Sequence, residues 1–508
     1  VSLADLGARD ARPAILEPGR GEVSYAALDE LANRVAGRLL ALGVTSDSRV
    51  GLYLNRSADA VAAMLGVLRA GCAYVPVDPR APAERNAEIL TECEVFTSLV
   101  EEPYVERFRS ACRRLGRGGG LEPIGPTGLG RAIAHWAPGR AEPAPAPAQE
   151  SEIACVLYTS GSTGRHKGWL MSRAAIQAHA AWSRALIRPV AGDVFANHAQ
   201  LNFGMSLFDV FTSLGAGVPL LLVPDPVRPF ADRIVDLISR ERVTIWFSGP
   251  GILSLIARVE GLEKRDLGAL RLVAFAGEVF PAPALRALRR RLPHPRFFNF
   301  YGSTETNVAA FHELPPDVDF DEPPPIGRPC AHYEARVIGL DGEPASPGSV
   351  GELQLRGAGL TTGYLDQPEL TAERLLAAPG GGLPWYRTGD LVVELAGGEL
   401  RHAGRLGRML KLRGYRVEPG EIETRLHEHP RVAAAAVVPV EGPHGLQLVA
   451  HLCSERLPVV ELKRFCAVKL PPYMIPERFV FHAALPRNLR GKIDLEALRT
   501  AADPGAAS

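Results

Sequence analysis

Apolar side chains recur every three or four positions at Leu28, Leu31, Val35, Leu39 and Leu42, with Ser24 ahead of them and Gly43 behind. That spacing puts them on one face of a helix, and the flanking residues are a start and a stop signal. The pattern then switches to an apolar strand at 50–54, a helix from 57 to about 69 and a strand at 73–77, closed by Asp78-Pro79. This reads as a βαβ unit. Further short apolar runs at 153–158, 218–223, 243–247, 271–275 and 296–300 read as buried strands, with helical stretches near Ser172, Phe230, Gly251 and Pro281. The alternation predicts mainly parallel sheets with helices on their faces. Between them, PGRAEPAPAPAQ at 138–149 reads as a semi-rigid connector. Gly/Pro-rich turns and short alternating strands over 334–400 predict a β-rich subdomain, and from Arg405 onward helix 419–428, strands 432–438 and 446–452 and helix 459–470 predict a small α+β unit. The fold class is therefore α/β, with a large domain at 1–404 and a small one at 405–508.

Composition narrows the function. Apolar residues make up 46% of the 508 and charged residues 22%, enough for large cores. Lys+Arg and Asp+Glu both number 57, so bulk charge argues against nucleic acid or a membrane surface as partner. The seven cysteines form no CxxC or Cys/His cluster, so neither a zinc site nor a disulfide framework is expected. With no long apolar run and no basic-then-apolar start, the expected compartment is a reducing cytoplasm.

Four segments carry chemistry. In ACVLYTSGSTGRHKG, 154–168, an apolar strand runs into a loop with hydroxyls at Thr159, Ser160, Ser162 and Thr163, glycines at 161, 164 and 168, and Lys167. Hydroxyls, close-approaching backbone N–H groups and one ammonium suit a polyphosphate, but Lys167 precedes a glycine rather than Ser or Thr, so this is not a Walker A loop. In FFNFYGSTETN, 297–307, a strand ends in a turn that presents Tyr301, Thr304 and Glu305, an aromatic to stack on a base and a carboxylate for Mg²⁺. YRTGD, 386–390, offers an acid for a ribose diol, and the basic stretch from Gly404 includes Arg405. RGKID, 490–494, holds a lone lysine.

In this order, and with LRAGCAYVPVDP (68–79), GELQLRG (351–357) and LPPYMIP (470–476), these segments resemble the adenylate-forming superfamily of acyl-CoA synthetases, luciferases and, most closely, peptide-synthetase adenylation domains. The resemblance implies a large domain of packed sheets and a mobile C-terminal domain. It implies ATP and Mg²⁺ as cofactors, and activation of a small carboxylic acid as its adenylate before transfer to a thiol. Its residue roles fall as follows. Thr159, Ser160, Gly161, Ser162, Thr163, Gly164 and Lys167 hold the β- and γ-phosphates. Ala276, Gly277 and Glu278 line the adenine, Asn299 bonds it and Tyr301 stacks on it. Thr304 touches the α-phosphate, Glu305 holds Mg²⁺, Asp390 and Arg405 take the ribose, and Lys492 bridges the carboxylate and the α-phosphate. Gly407 stands at the hinge.

Departures bear on the acid. Amino-acid-activating relatives read Phe-Asp-x-Ser where this chain has Phe203-Gly204-Met205-Ser206, so the carboxylate that pairs the substrate ammonium is missing. An uncompensated buried ammonium costs several kcal/mol, roughly. The expectation is an acid without a conventionally bound α-amino group: aryl, short alkyl, or α-keto/hydroxy. The alternative is an amino acid held by Asn202, His198 or Asp209, or an acyl-CoA or amide-forming ligase. The other matched pocket positions are Met205, Phe208, Phe247, Ala274, Ala276, Phe300, Val308 and Ala309, an apolar and partly aromatic wall. The acceptor is a carrier-protein phosphopantetheine or CoA.

Overall fold

The computed structural model describes residues 8–115, 152–159, 167–316, 321–378, 380–442, 445–487 and 493–502. The connector read at 138–149 lies outside them.

The opening helix is Tyr25–Ala41. Ser24 caps it, its hydroxyl accepting from the Ala27 N–H at 3.2 Å, and Leu28, Val35 and Leu39 are buried. It packs on the helix Ala58–Arg69 at Gly66, where a Cβ would fall 2.5 Å from the Cβ of Val35, so only glycine permits this approach. The strands that follow build a five-stranded sheet in the order Thr97–Val100, Arg49–Tyr53, Ala73–Pro76, Ile153–Thr159, Lys167–Ser172, parallel except for the last hairpin. A nine-stranded sheet has a parallel centre of Arg296–Ser303, Leu272–Phe275, Ile245–Ser248, Phe195–Asn197, Leu220–Leu222 and Pro13–Glu17. One apolar cluster runs from Leu52 and Tyr74 of the first sheet to Phe195, Phe247 and Leu272 of the second, through the helices between them.

The β-rich subdomain is an antiparallel sheet of Tyr333–Ile338, Val350–Gly357, Trp385–Glu394, Leu375–Leu376 and Leu400–Arg405. Beyond it come a hairpin (Leu410–Leu412, Tyr415–Val417), helices Pro419–His427, Val459–Ala467 and Leu495–Ala502, and a sheet of Ala434–Gly442, Gly445–Cys453 and Arg478–His482 with its own apolar clusters.

Two differences from the sequence reading have plain causes. The helix Gly204–Ala216 was not expected, because Ser206 through Leu214 are buried on every side and leave no polar stripe to reveal the period. The strand expected at 218–223 shortens to Leu220–Leu222, since Gly217 at φ +72° closes that helix just before it. Among the described residues, no helix is long and apolar enough to cross a membrane.

Candidate active site

Two cavities meet where the small C-terminal unit touches the large one. The larger, about 510 Å³, is lined by Gly277, Glu278, Asn299, Tyr301, Asp390 and Arg405 among others. Asp390 anchors it from the strand Trp385–Glu394. One carboxylate oxygen accepts from the Tyr301 hydroxyl at 2.6 Å and the other from Arg405 at 2.5 Å. Burial alone would raise its pKa, but the His402 hydrogen bond, the charges of Arg405 and Lys411 and the Tyr301 hydroxyl hold it well below the usual carboxylate range. Burial, and then the neighbouring Asp390 charge, push the Tyr301 phenol well above its ordinary value, so it stays a donor. Asn299 donates its amide N–H groups to the carbonyls of Pro325 at 2.8 Å and Pro324 at 3.3 Å, which ties that loop across the cavity.

The second cavity, about 150 Å³, shares Gly277, Gly302, Met409 and Lys411 with the first. Its walls include Met205, Phe208, Phe247, Ala276 and Val308, with Asn202, Gly204 and Thr304. Asp78 is the one carboxylate lining it among the described residues, and Arg80 is salt-bridged to it at 3.1 Å. Strand Arg296–Ser303 turns through Thr304, Glu305 and Thr306 into strand Asn307–Leu314, with Asn307 at φ +50° after the turn. Gly302 is required there, since a Cβ would lie 1.5 Å from the Asn307 carbonyl. Asn307 is buried, and its Oδ1 makes no hydrogen bond. That oxygen is 3.3 Å from where a Cβ on Gly204 would stand.

The hairpin Leu410–Leu412/Tyr415–Val417 closes over both cavities. Arg413 and Gly414 both have positive φ, +52° and +81°, the two-residue turn that matches strand twist. At its tip the Gly414 N–H donates to Glu278 at 2.5 Å, and Tyr415 stacks on Tyr473 with ring centres 3.9 Å apart. Lys411 donates to the Gly302 carbonyl at 3.3 Å, and Arg416 binds Glu305 at 2.5 Å. A buried Arg85–Glu421 pair at 2.6 Å fixes the small unit further out. Burial pushes the Glu305 pKa up, but Arg416 and hydrogen bonds outweigh it and leave the carboxyl below its ordinary value. Its Oε2 is buried without a hydrogen-bond partner. One ionised carboxylate with an orphan oxygen fits Mg²⁺, which takes one or two protein carboxylates and fills its octahedron with phosphate oxygens and water. No group of three or more His, Cys, Asp or Glu suited to a metal occurs among the described residues.

With this geometry in view, comparison with known proteins is decisive. The model of the AMP-binding enzymes matches residues 6–365, and that of the AMP-binding enzyme C-terminal domain matches 421–492. The chain belongs to the AMP-binding enzyme family. It is an ATP-dependent, AMP-forming carboxylic acid ligase related to peptide-synthetase adenylation domains. An L-proline--[L-prolyl-carrier protein] ligase of Streptomyces coelicolor is 37% identical over 97% of this chain and 94% of its own. A ligase of the same name from Pseudomonas fluorescens is 34% identical over 94% and 93%. Among solved structures, the amide bond synthetase McbA from Marinactinospora thermotolerans superposes with a TM-score of 0.88 at 27% identity, covering 99% of this chain and 100% of that one.

Not every residue expected to serve this AMP-binding enzyme lies in a cavity wall. Ala274 and Ala309 are core residues, and Phe300 faces the larger cavity rather than the acid cavity. Asp209 is buried under Asn197, which donates to it at 3.0 Å, and burial raises its pKa well above the ordinary carboxylate value. His198 is partly buried outside both linings, and burial first and Arg228 second lower its pKa to about 3. Lys167 and Glu305 are outside both linings: Glu305 pairs with Arg416, and burial and then the Arg416 charge lower the Lys167 pKa. Ser160 to Gly164, the Thr159 side chain and Lys492 lie outside the described residues. Gly407, at φ +88°, makes the bend between strand Leu400–Arg405 and the capping hairpin. The sequence reading missed Lys411, Gly414 and Arg416 as cap residues, because Arg-Gly is not one of the dipeptides that mark a two-residue hairpin turn. It also missed Asn307 and His179, for which no local pattern gives a cue.

Proposed function

We propose that this enzyme activates a small amino or imino acid of the proline type as its aminoacyl-adenylate and passes the acyl group to the phosphopantetheine thiol of a carrier protein. Two relatives aligned over nearly the whole length of both chains carry L-prolyl-carrier names, which weighs against the expectation of an acid without an α-amino group. The observation that carries the reading is the contact between a small, largely apolar cavity and a larger polar one across Gly302 and Lys411. A carboxylate in the first can reach a phosphate in the second. Asn307 Oδ1, facing Gly204, supplies a neutral acceptor for the substrate amine in place of the missing aspartate.

The acid is ionised at pH 7. Its carboxylate oxygen forms a bond to the α-phosphorus while the bond to the β-phosphate oxygen breaks and pyrophosphate leaves. The difficulty is bringing two anions together, so fixed positive groups supply most of the catalysis. Lys492 bridges the carboxylate and the α-phosphate, Thr304 donates to that phosphate, and the 159–167 loop holds the β- and γ-phosphates. Glu305 would hold Mg²⁺, which neutralises phosphate charge when bound. Asp390 and Arg405 take the ribose, and Tyr301 and Asn299 the base. In the second half-reaction the thiol sulfur attacks the acyl carbon and AMP departs. The cap formed by Lys411, Gly414 and Arg416, with Glu305 engaged by Arg416, suits this second stage, and Gly407 is the hinge between the two stages.

ATP–pyrophosphate exchange over a panel of acids tests the proposal. Exchange is expected with L-proline and other small amino acids and is expected to be weaker with their desamino analogues. Exchange confined to aryl or keto acids would overturn the substrate class. A second reading, transfer to an amine, is favoured by the full-length likeness to an amide bond synthetase. Product analysis with a carrier protein against free amines separates the two.

A further inference from the structure

Helix Arg173–Ile187 brings His179 to the wall of the acid cavity. The ring is 1% exposed, and neither nitrogen has a hydrogen-bond partner. It lies against Phe208 and Trp182, with ring centres 6.1 Å and 5.7 Å away, and faces His332 at 6.2 Å. Phe208 is four residues along its helix from Gly204, so His179 stands about one turn, ~5 Å, deeper than the amine end of the cavity. Burial, and then the His332 neighbour, lower its pKa to about 3, so the ring is neutral and offers one N–H donor and one bare nitrogen acceptor.

A buried polar group without a partner is costly, and folded proteins rarely keep one without a use. An apolar side chain would fill this place among Phe208, Trp182 and Phe247 at no such cost. We infer that His179 is a specificity-determining residue that hydrogen-bonds a polar atom on the part of the acid remote from its carboxyl group. The substrate is then a small acid carrying a hydroxyl or another hydrogen-bonding group there, and not a bare hydrocarbon ring. The inference rests on the amino-acid reading for the class of acid, but not for the hydroxyl itself.

Matched pairs in ATP–pyrophosphate exchange test it: L-proline with its cis- and trans-4-hydroxy derivatives, and benzoate with 3- and 4-hydroxybenzoate. The wild type is expected to favour one hydroxylated member of the active pair by on the order of 10- to 100-fold in kcat/KM, the range of a hydrogen bond to a buried partner. His179→Leu is expected to abolish or reverse that preference, through KM for the acid and with KM for ATP unchanged. His179→Gln, which keeps a donor and an acceptor, restores part of it. Thermal unfolding separates a packing role, because removing an unpartnered imidazole is expected to leave Tm unchanged or higher. A wild type that prefers the bare acid, or an equal hydroxyl preference in wild type and His179→Leu, overturns the inference. If only the benzoate pair exchanges, the amino-acid reading fails and His179 is judged on that pair. Exchange with no acid overturns both.

Discussion

The two cavities that meet at Lys411 are built on opposite plans. In the larger one the central carboxylate and amide are partnered: Asp390 takes Tyr301 and Arg405, and the Asn299 N–H groups hold the Pro324–Pro325 loop, while only the Arg405 Nε among these groups is buried without a partner. In the smaller one Asp78 and Arg85 are paired, but Asn307 Oδ1 and both nitrogens of His179 have no partner. A saturated network holds its shape whether or not ligand is present, which suits a nucleotide common to all reactions of a family. An unsaturated one leaves its recognition free energy to be recovered by whichever acid satisfies it, which is how a small pocket discriminates. The comparison assigns stability to the first cavity and selectivity to the second, and substitutions can break that division.

The largest effect is expected at the junction itself. Lys492→Ala should lower ATP–pyrophosphate exchange by about 10²-fold or more, as loss of a preorganised electrostatic group does. Because the lysine would act between the cavities, the loss should fall on kcat, with KM for ATP and for the acid changed little. Wild-type exchange in this variant would remove the residue from the first half-reaction.

Next in size is Asp390→Asn. It breaks a buried, hydrogen-bonded ion pair and should cost about 2–4 kcal/mol of stability near pH 7, with a raised KM for ATP and an unchanged order of acid preference. The sign of the pH dependence follows from the lowered pKa. A carboxyl held below its unfolded value of about 3.9 contributes stability that is fully present above that pH and is lost as the pH falls toward the folded value. The gap between the wild type and Asp390→Asn should therefore begin to close below about pH 4 and keep closing as the pH falls toward the folded value. A gap that stays constant through that range would mean that packing, and not charge, accounts for the loss.

The same division explains what the sequence made legible. The nucleotide side depends on glycine turns, a strand-end Tyr-Gly-x-Thr-Glu and a turn aspartate, all local patterns in which residue type and backbone geometry coincide. The acid side depends on which helix faces meet. Gly204–Ala216 is buried all round and shows no period, so the pocket positions taken from it could be aligned but not oriented. Ala309 follows the lining residue Val308 and the pleat turns it away, while Ala274 shares the face of the lining residue Ala276 but stands two residues further back in the strand. His179 sits in an ordinary amphipathic helix, and only the packing of that helix against Phe208 makes its empty nitrogens visible. The capping hairpin was visible only as a basic stretch because its partners, Glu278 and Glu305, are more than a hundred residues away in the chain.

A smaller effect should sharpen the acid side alone. Asn307→Asp is nearly isosteric, and both residues tolerate the left-handed backbone found there. The new carboxylate would restore a counter-charge opposite Gly204. KM for an acid bearing an ammonium is expected to fall by about 10-fold, on the order of one charge-assisted hydrogen bond. In the free enzyme that carboxylate is buried without a partner, so Tm should drop and saturating amino acid should recover it. Burial raises the pKa of such a group, so both effects should grow as the pH rises. An equal change in KM for amino acids and desamino acids would show that this oxygen does not meet the amine.

The smallest effect is expected at Gly407, the bend between the β-rich sheet and the capping hairpin. Its φ of +88° disfavours side chains with a Cβ, while no atom lies within 4 Å of the place a Cβ would take. The cost of Gly407→Ala is therefore backbone strain without a clash, roughly 1 kcal/mol. Gly407→Asp should cost less than the alanine, because Asp enters the left-handed region more readily. Strain at this bend disfavours the docked cap, in which Arg416 engages Glu305, and leaves both cavities intact. Exchange should thus change by less than about twofold, since 1 kcal/mol is only about a fivefold shift between the two domain arrangements, while transfer to the thiol slows by the larger share. An exchange rate that falls as far as the transfer rate would place the bend in both half-reactions and end the separation of hinge from site.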